Sequence, residues 1–195
     1  MSELPEAAEP LIEAAALHER IAELAQEIGD AYRGDVPILV SVLKGSTLFL
    51  SDLARALDLD LQVDFMSISS YSESGGRSGV VRIVKDLEVD IGDRHVLIVE
   101  DIVDTGLTLN YLRRTLEERR PASLRTVSLL DKAARRIIPV PLEWRGFEIP
   151  DVFVVGYGLD FQGRYRNVPQ ILAVRDVAKL ANDPALLVEG LFKGS

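Results

Sequence analysis

The run Val96-Leu97-Ile98-Val99-Glu100-Asp101-Ile102-Val103-Asp104-Thr105-Gly106-Leu107-Thr108 constrains the fold more than any other part of the chain. Four apolar residues end in two adjacent carboxylates, a third acid follows, and a Thr-Gly-x-Thr turn leads into a helically patterned segment. Continuous apolar runs read as buried strands, and open α/β sheets bind ligands beyond the carboxyl ends of such strands. Small and hydroxyl residues at a helix start can present backbone N–H groups to phosphate. Three acids beside a phosphate nest point to a substrate carrying both hydroxyls and phosphate, bound with a divalent metal.

Apolar or β-rich runs recur at 38–43, 63–68, 80–84, 124–130, 152–155 and 171–174, with helical patterns at 47–57 and 107–119 between them. The alternation implies βαβ units, hence an α/β fold with a mainly parallel twisted sheet flanked by helices. Near the start, Leu17, Ile21, Leu24 and Ile28 recur at helical spacing and Gly29 follows as a stop. Residues 1–10, acidic and carrying Pro5 and Pro10, read as a loose tail. With no internal repeat or linker, residues 1–195 are expected to form a single domain. Two segments break the pattern. Residues 69–79, Ser-Ser-Tyr-Ser-Glu-Ser-Gly-Gly-Arg-Ser-Gly, have the composition of a mobile loop or of a hairpin connection. The proline-rich stretch 139–150, with the only tryptophan, is expected to leave the sheet and form part of a small hood over the ligand.

Composition excludes several function classes. A hydrophobic content of 47% fits a folded globule. No apolar stretch approaches the roughly 20 residues of a membrane span, and the acidic start lacks a signal peptide's pattern. Zero cysteines exclude disulfides and thiolate chemistry and fit a reducing cytoplasm. With only His18 and His95, a two-histidine metal site is not expected. A net charge of −9 argues against nucleic-acid binding, which depends on Lys and Arg. It does not exclude a polyanionic small molecule, because backbone amides, local cations and bound metal set the field within a site.

The run from Glu100 to Thr108 resembles the phosphoribosyl-pyrophosphate (PRPP) signature of the type I phosphoribosyltransferases. Leu43-Lys44-Gly45, Ser70-Tyr71, Ser128-Leu129-Leu130-Asp131-Lys132 and Gly146-Phe147-Glu148-Ile149-Pro150-Asp151 resemble the hypoxanthine-guanine branch. The last continues into Val152-Phe153-Val154-Val155-Gly156-Tyr157-Gly158-Leu159-Asp160. The resemblance implies Mg2+-dependent transfer of the phosphoribosyl group to N9 of hypoxanthine or guanine, giving IMP or GMP and pyrophosphate. It assigns Glu100 and Asp101 to the ribose hydroxyls and, with Asp160, to magnesium. Asp104 is implied as the general base for purine N7, and Thr105, Gly106, Leu107 and Thr108 as the 5′-phosphate turn. Leu107 stands where some relatives carry lysine, so backbone contacts must dominate there. Lys44, Gly45 and Arg166 are implied at pyrophosphate, in some members through a cis peptide, with Arg164 as the competitor for Arg166. Lys132 is implied at the purine 6-oxygen, Phe153 stacking on the ring, Val154 and Asp160 bordering it. Ser70 and Tyr71 are implied as cover in a flexible active-site loop, and the family precedent implies a homo-oligomer, dimer or tetramer.

Two alternatives stay open. One is the same chemistry on xanthine or another base. The other is a PRPP-sensing regulator on the same fold, which needs a DNA-binding module or a basic face. The pairs Arg113-Arg114, Arg119-Arg120 and Arg135-Arg136 are more simply read as solvated charges.

Overall fold

The computed structural model describes residues 7–71 and 80–192. In chain order its elements are β1 (Ala8–Ile12), α1 (Ala14–Ala31), β2 (Ile38–Val42), α2 (Thr47–Ala56), β3 (Gln62–Tyr71), β4 (Val80–Lys85) and β5 (His95–Val103). They continue with α3 (Leu107–Glu117), β6 (Ser123–Asp131), a 3-10 turn at Ala133–Arg135, β7 (Trp144–Glu148), β8 (Phe153–Val155), β9 (Ile171–Val174), α4 (Val177–Asn182) and α5 (Val188–Leu191).

Six strands form the main sheet in the order β4-β3-β2-β5-β6-β7. All neighbours pair in parallel except β3 and β4. β5 lies in the middle and is apolar on both faces. Val96 and Ile98 pack with Leu109, Leu112 and Leu116 of α3, while Leu97 and Val99 join the cluster containing α1 and α2. Side chains alternate along a strand, so the same register sends Glu100 toward the α3 face and Asp101 toward the opposite one. The chain leaves β2 toward β3 on one side and leaves β5 toward β6 on the other. The loops after β2 and β5 therefore diverge and leave a crevice, the place where such sheets bind ligands.

A second, antiparallel sheet of order β1-β9-β8 forms the hood. It differs in two ways from the sequence expectation. The supposed tail is in part β1: Ala8 pairs with Val174 and is buried. Pro10 is accommodated there because β1 is an edge strand, where a missing N–H costs no ladder bond. Conversely, the proline-rich segment expected in the hood supplies β7, which extends the main sheet with Trp144 opposite Val127 and Phe147 opposite Leu130. Its prolines at 139 and 141 stay in the approach to the strand, and Trp144 and Phe147 pack on the core. The apolar side chains win over the local breakers.

Gly29 does not end α1. Buried Ile28 is followed four residues on by buried Tyr32, which continues the inward stripe, and Tyr32 N–H closes on Ile28 O. The chain turns instead at Gly34, with φ of 91°. Ser70 and Tyr71 lie at the end of β3, which pairs with β4 up to Tyr71 opposite Val80. The rest of the expected loop, 72–79, lies outside the described residues.

Because Leu97 is fully buried in the central strand, Leu97→Ala is expected to destabilise the fold by about 2–5 kcal/mol. Urea unfolding checks this; a change below about 0.5 kcal/mol contradicts the placement of β5 at the centre of the core.

Candidate active site

The first wall of the crevice is the turn after β2. The Leu43–Lys44 peptide bond is cis, and Lys44 O accepts from Thr47 N–H and Oγ1 at 3.3 and 2.8 Å, starting α2. Gly45 is tightly enclosed. A Cβ built on it would lie 1.6 Å from Asp101 Oδ2, and one on Gly158 would lie 2.1 Å from Gly45 O. Both glycines let the end of β5 and the segments after β2 and β8 meet at contact distance.

The second wall is the acidic end of β5. Glu100 is buried and its Oε1 has no hydrogen-bond partner. Burial, with a smaller contribution from the neighbouring Asp101 charge, holds the Glu100 carboxyl well above the usual carboxylate range. Burial also pushes Asp101 up; the backbone N–H of Ile102 and the charge of Arg166 oppose this, Asp160 adds to it, and the result is about 6. Two adjacent carboxylates thus lie desolvated with too little positive charge beside them, an arrangement that invites a cation. Among the described residues no three Asp, Glu, His or Cys side chains form a metal cage. This donor set fits magnesium, which takes one or two carboxylates and completes its shell with substrate phosphate and water.

Thr105 to Thr108 make the turn into α3. Gly106 precedes the helix with φ of 84°. A side chain there is excluded twice, by the left-handed φ and by Ile138 O, 2.5 Å from where Cβ would stand. Ile137 and Ile138 N–H both donate to Thr105 O, at 2.9 and 3.2 Å, so the turn is braced from outside by the 136–138 segment. The Leu107 side chain is exposed and lines neither site cavity, leaving backbone amides and the two threonines as donors.

The third wall carries the cations. Lys132, buried beyond β6, donates its N–H to Val103 O at 2.9 Å. Its Nζ lies 3.9 Å from Asp151 Oδ1. From the hood, Asp160 accepts from Gly163 N–H at 2.6 Å and pairs with Arg166 Nη2 at 2.6 Å, while Arg166 Nη1 donates to Gly158 O at 2.6 Å. Arg166 faces the site and Arg164 does not: Arg164 is exposed, in a turn with Phe161. Phe153 is 36% exposed and meets Phe161 edge to face at 5.9 Å. It is a strand aromatic left open on one face.

Two adjoining cavities result. One, of about 230 Å³, is lined by Gly45, Glu100, Asp101, Asp104, Thr105, Gly106 and Thr108. The other, of about 530 Å³, is lined by Lys44, Gly45, Asp101, Asp104, Lys132, Phe153, Val154, Asp160 and Arg166. Of the described side chains expected from sequence, only that of Leu107 falls outside both sets; the calls on the side chains of Ser70 and Tyr71 lie outside what is described. Larger concavities at 22–60 and 131–145 lie away from this charge cluster. Sequence reasoning missed Arg135, read as a solvated charge. It lines the larger cavity, and its Nε lies 3.0 Å from Asp104 Oδ1, a charge contact without hydrogen-bond alignment. It also missed Asp151, 3.2 Å from Arg135 Nη1. The signal available was position: both sit within three residues of a site residue.

Comparison with known proteins agrees with this fold. The family model of the phosphoribosyl transferase domain matches residues 11–162. A hypoxanthine-guanine phosphoribosyltransferase of Mycobacterium avium is 52% identical over 167 residues, covering 83% of this chain and 82% of that protein. Among solved structures, a hypoxanthine-guanine phosphoribosyltransferase of Bacillus anthracis superposes with a TM-score of 0.82 at 40% identity, covering 88% of this chain and 99% of that one. A hypoxanthine phosphoribosyltransferase of Trypanosoma cruzi, in complex with the product IMP, gives 0.82 at 43% identity, covering 89% and 97%.

The raised carboxyls have a measurable consequence without ligand. Between the ordinary value of 3.8 and about 6, Asp101 binds more protons folded than unfolded. Its contribution to stability therefore falls as pH rises through that window, and Glu100 acts in the same sense. Asp64 acts oppositely, because backbone N–H groups of Val89, Phe65 and Glu88 outweigh its burial and hold it low. The clean comparison is between wild type and Glu100→Gln: the variant is expected to gain stability relative to wild type as pH rises from about 4 to 7. A parallel pair of urea-unfolding profiles contradicts an unneutralised Glu100.

Proposed function

The chain belongs to the phosphoribosyltransferase family, and from that premise we infer that it is a purine-salvage hypoxanthine-guanine phosphoribosyltransferase. It transfers the 5-phosphoribosyl group of PRPP to N9 of hypoxanthine or guanine, releasing pyrophosphate and forming IMP or GMP. The observation that carries this reading is the meeting of Asp104 and buried Lys132 at one cavity that opens beside the Thr105–Thr108 turn.

In the reaction, purine N9 forms a bond to C1′ as the C1′–O bond breaks and its electron pair leaves with pyrophosphate. The developing charge on the sugar is that of an oxocarbenium ion. Asp104 takes the N7 proton, the part a positioned carboxylate plays as a general base. The turn at Thr105–Thr108 binds the 5′-phosphate with amides and hydroxyls at the start of α3. Glu100 and Asp101 hold the ribose hydroxyls. Lys44, Gly45 and Arg166 take the pyrophosphate, where a planar guanidinium fork suits phosphate oxygens. Glu100, Asp101 and Asp160 would hold a Mg2+ ion, which would supply charge neutralisation for the pyrophosphate.

Phe153 stacks on the base, and Val154 and Asp160 border it. Lys132 donates to the 6-oxygen. An ammonium is only a donor, so the amino group of adenine leaves it buried and unpaired, the kind of mismatch that discriminates strongly. Ser70 and Tyr71, at the carboxyl end of β3, are assigned to covering the site. We place the enzyme in the cytoplasm, in keeping with its lack of cysteine, as a homo-oligomeric single-domain protein. No helix among the described residues is long and apolar enough to cross a membrane.

Incubation with PRPP and Mg2+ and, separately, hypoxanthine, guanine, xanthine, adenine and uracil tests the assignment. Nucleotide is expected from hypoxanthine and guanine and not from adenine or uracil; no product with any base favours a PRPP sensor instead. Asp104→Asn is expected to lower turnover by roughly 10²–10⁴-fold with less effect on PRPP binding, and near-normal turnover removes Asp104 from proton transfer. Lys132→Ala is expected to weaken hypoxanthine and guanine binding by about 10–100-fold, the usual worth of a hydrogen bond from a charged group. Unchanged kinetics with both bases refutes its purine contact.

A further inference from the structure

A 6-oxopurine presents N7–H and O6 side by side on one edge of the ring, so the groups that meet them must be aimed together. Asp104 and Lys132 come from different strand ends, the loops after β5 and β6. Two side chains with no role so far join them. Arg135 Nε lies 3.0 Å from Asp104 Oδ1, Arg135 Nη1 lies 3.2 Å from Asp151 Oδ1, and Lys132 Nζ lies 3.9 Å from that same oxygen.

We propose that Arg135 is a positioning residue for purine transfer, and that the ionic chain Asp104–Arg135–Asp151–Lys132 aims the base and the 6-oxygen donor at one ring edge. The inference rests on the function proposed above. Several observations support it. Arg135 lines the larger cavity beside both groups. Its backbone N–H donates to Lys132 O at 2.9 Å, fixing the guanidinium one turn beyond Lys132, and Lys132 N–H in turn bonds Val103 O beside Asp104. Arginine holds its charge and has no acceptor, so it can orient a carboxylate without competing for the proton. Contact at Oδ1 leaves the other carboxylate oxygen for purine N7. The Lys132–Asp151 separation is beyond hydrogen-bond length, so the ammonium keeps donors for O6. Arg135 and Asp151 are about half exposed, at 45% and 57% of the side chain, and exposed pairs add little to stability. Their value lies in geometry, where small misplacements of a reacting group are costly.

The test is a kinetic cycle in the full-length protein with hypoxanthine, PRPP and Mg2+. Arg135→Met, which keeps the aliphatic stem, is expected to lower kcat by about 10-fold with the KM for PRPP changed less than about 2-fold. Arg135→Lys is expected to recover part of that loss. In an Asp104→Asn background, Arg135→Met is expected to cost less than about 2-fold, because the carboxylate it orients is gone. Thermal unfolding of each variant identifies any global loss of structure, and the Lys variant then carries the comparison. Wild-type kcat in Arg135→Met, or the same 10-fold loss in both backgrounds, overturns the positioning role while leaving the function standing. Absence of product from the unaltered protein with every base overturns both.

Discussion

Two adjacent carboxylates at the end of the central strand, desolvated and short of positive charge, set the terms for the rest of the site. Leaving a buried carboxylate oxygen without a partner is unfavourable, and Glu100 Oε1 is in that condition. The fold tolerates this because β5 is anchored on both faces by apolar packing, so the strand end has no freedom to swing into water. Glycine at 45 and 158 lets two further segments close on the acids, with Asp101 Oδ2 where a side chain at 45 would stand. The cost of assembling the charges is met in folding rather than in catalysis, which is the sense in which such a site is preorganised.

Around that centre the charges divide by strand. Glu100 and Asp101 lie at the end of β5 with the Thr105–Thr108 turn after it, Lys132 follows β6, and Asp160 and Arg166 come from the hood. Arg166 and Asp160 hold each other at 2.6 Å, so each neutralises the other's charge. In the function proposed above, a phosphate ester arriving with its metal would exchange one set of ion pairs for another. Such an exchange would let a chain with a net charge of −9 accept a polyanion, because a cation that comes with the ligand rebuilds the local field.

Much of this was legible in the sequence, for physical reasons. The run at 96–99 reads as a buried strand, and the acids at its end, followed by Asp-Thr-Gly, favour a ligand site over a solvated strand end. Where reading failed, long-range pairing overruled local composition. Pro10 suggested a tail, but the partner β9 accepts it at an edge; Pro139 and Pro141 suggested departure from the sheet, but Trp144 and Phe147 found the core beside β6. Gly29 suggested a stop, yet buried Tyr32 one turn on carried α1 past it. Arg135 was missed because a charge on a polar turn has no periodicity, and only the approach of that turn to Asp104 shows its surroundings.

We propose that Glu100 and Asp101, with Asp160 of the hood, make up a cation site that is completed only by substrate. Isothermal titration calorimetry of PRPP into the protein, with and without Mg2+, tests it most directly. Tight PRPP binding that needs Mg2+, with Mg2+ alone binding far more weakly, is the predicted result. PRPP binding of equal strength in the presence of chelator would contradict it.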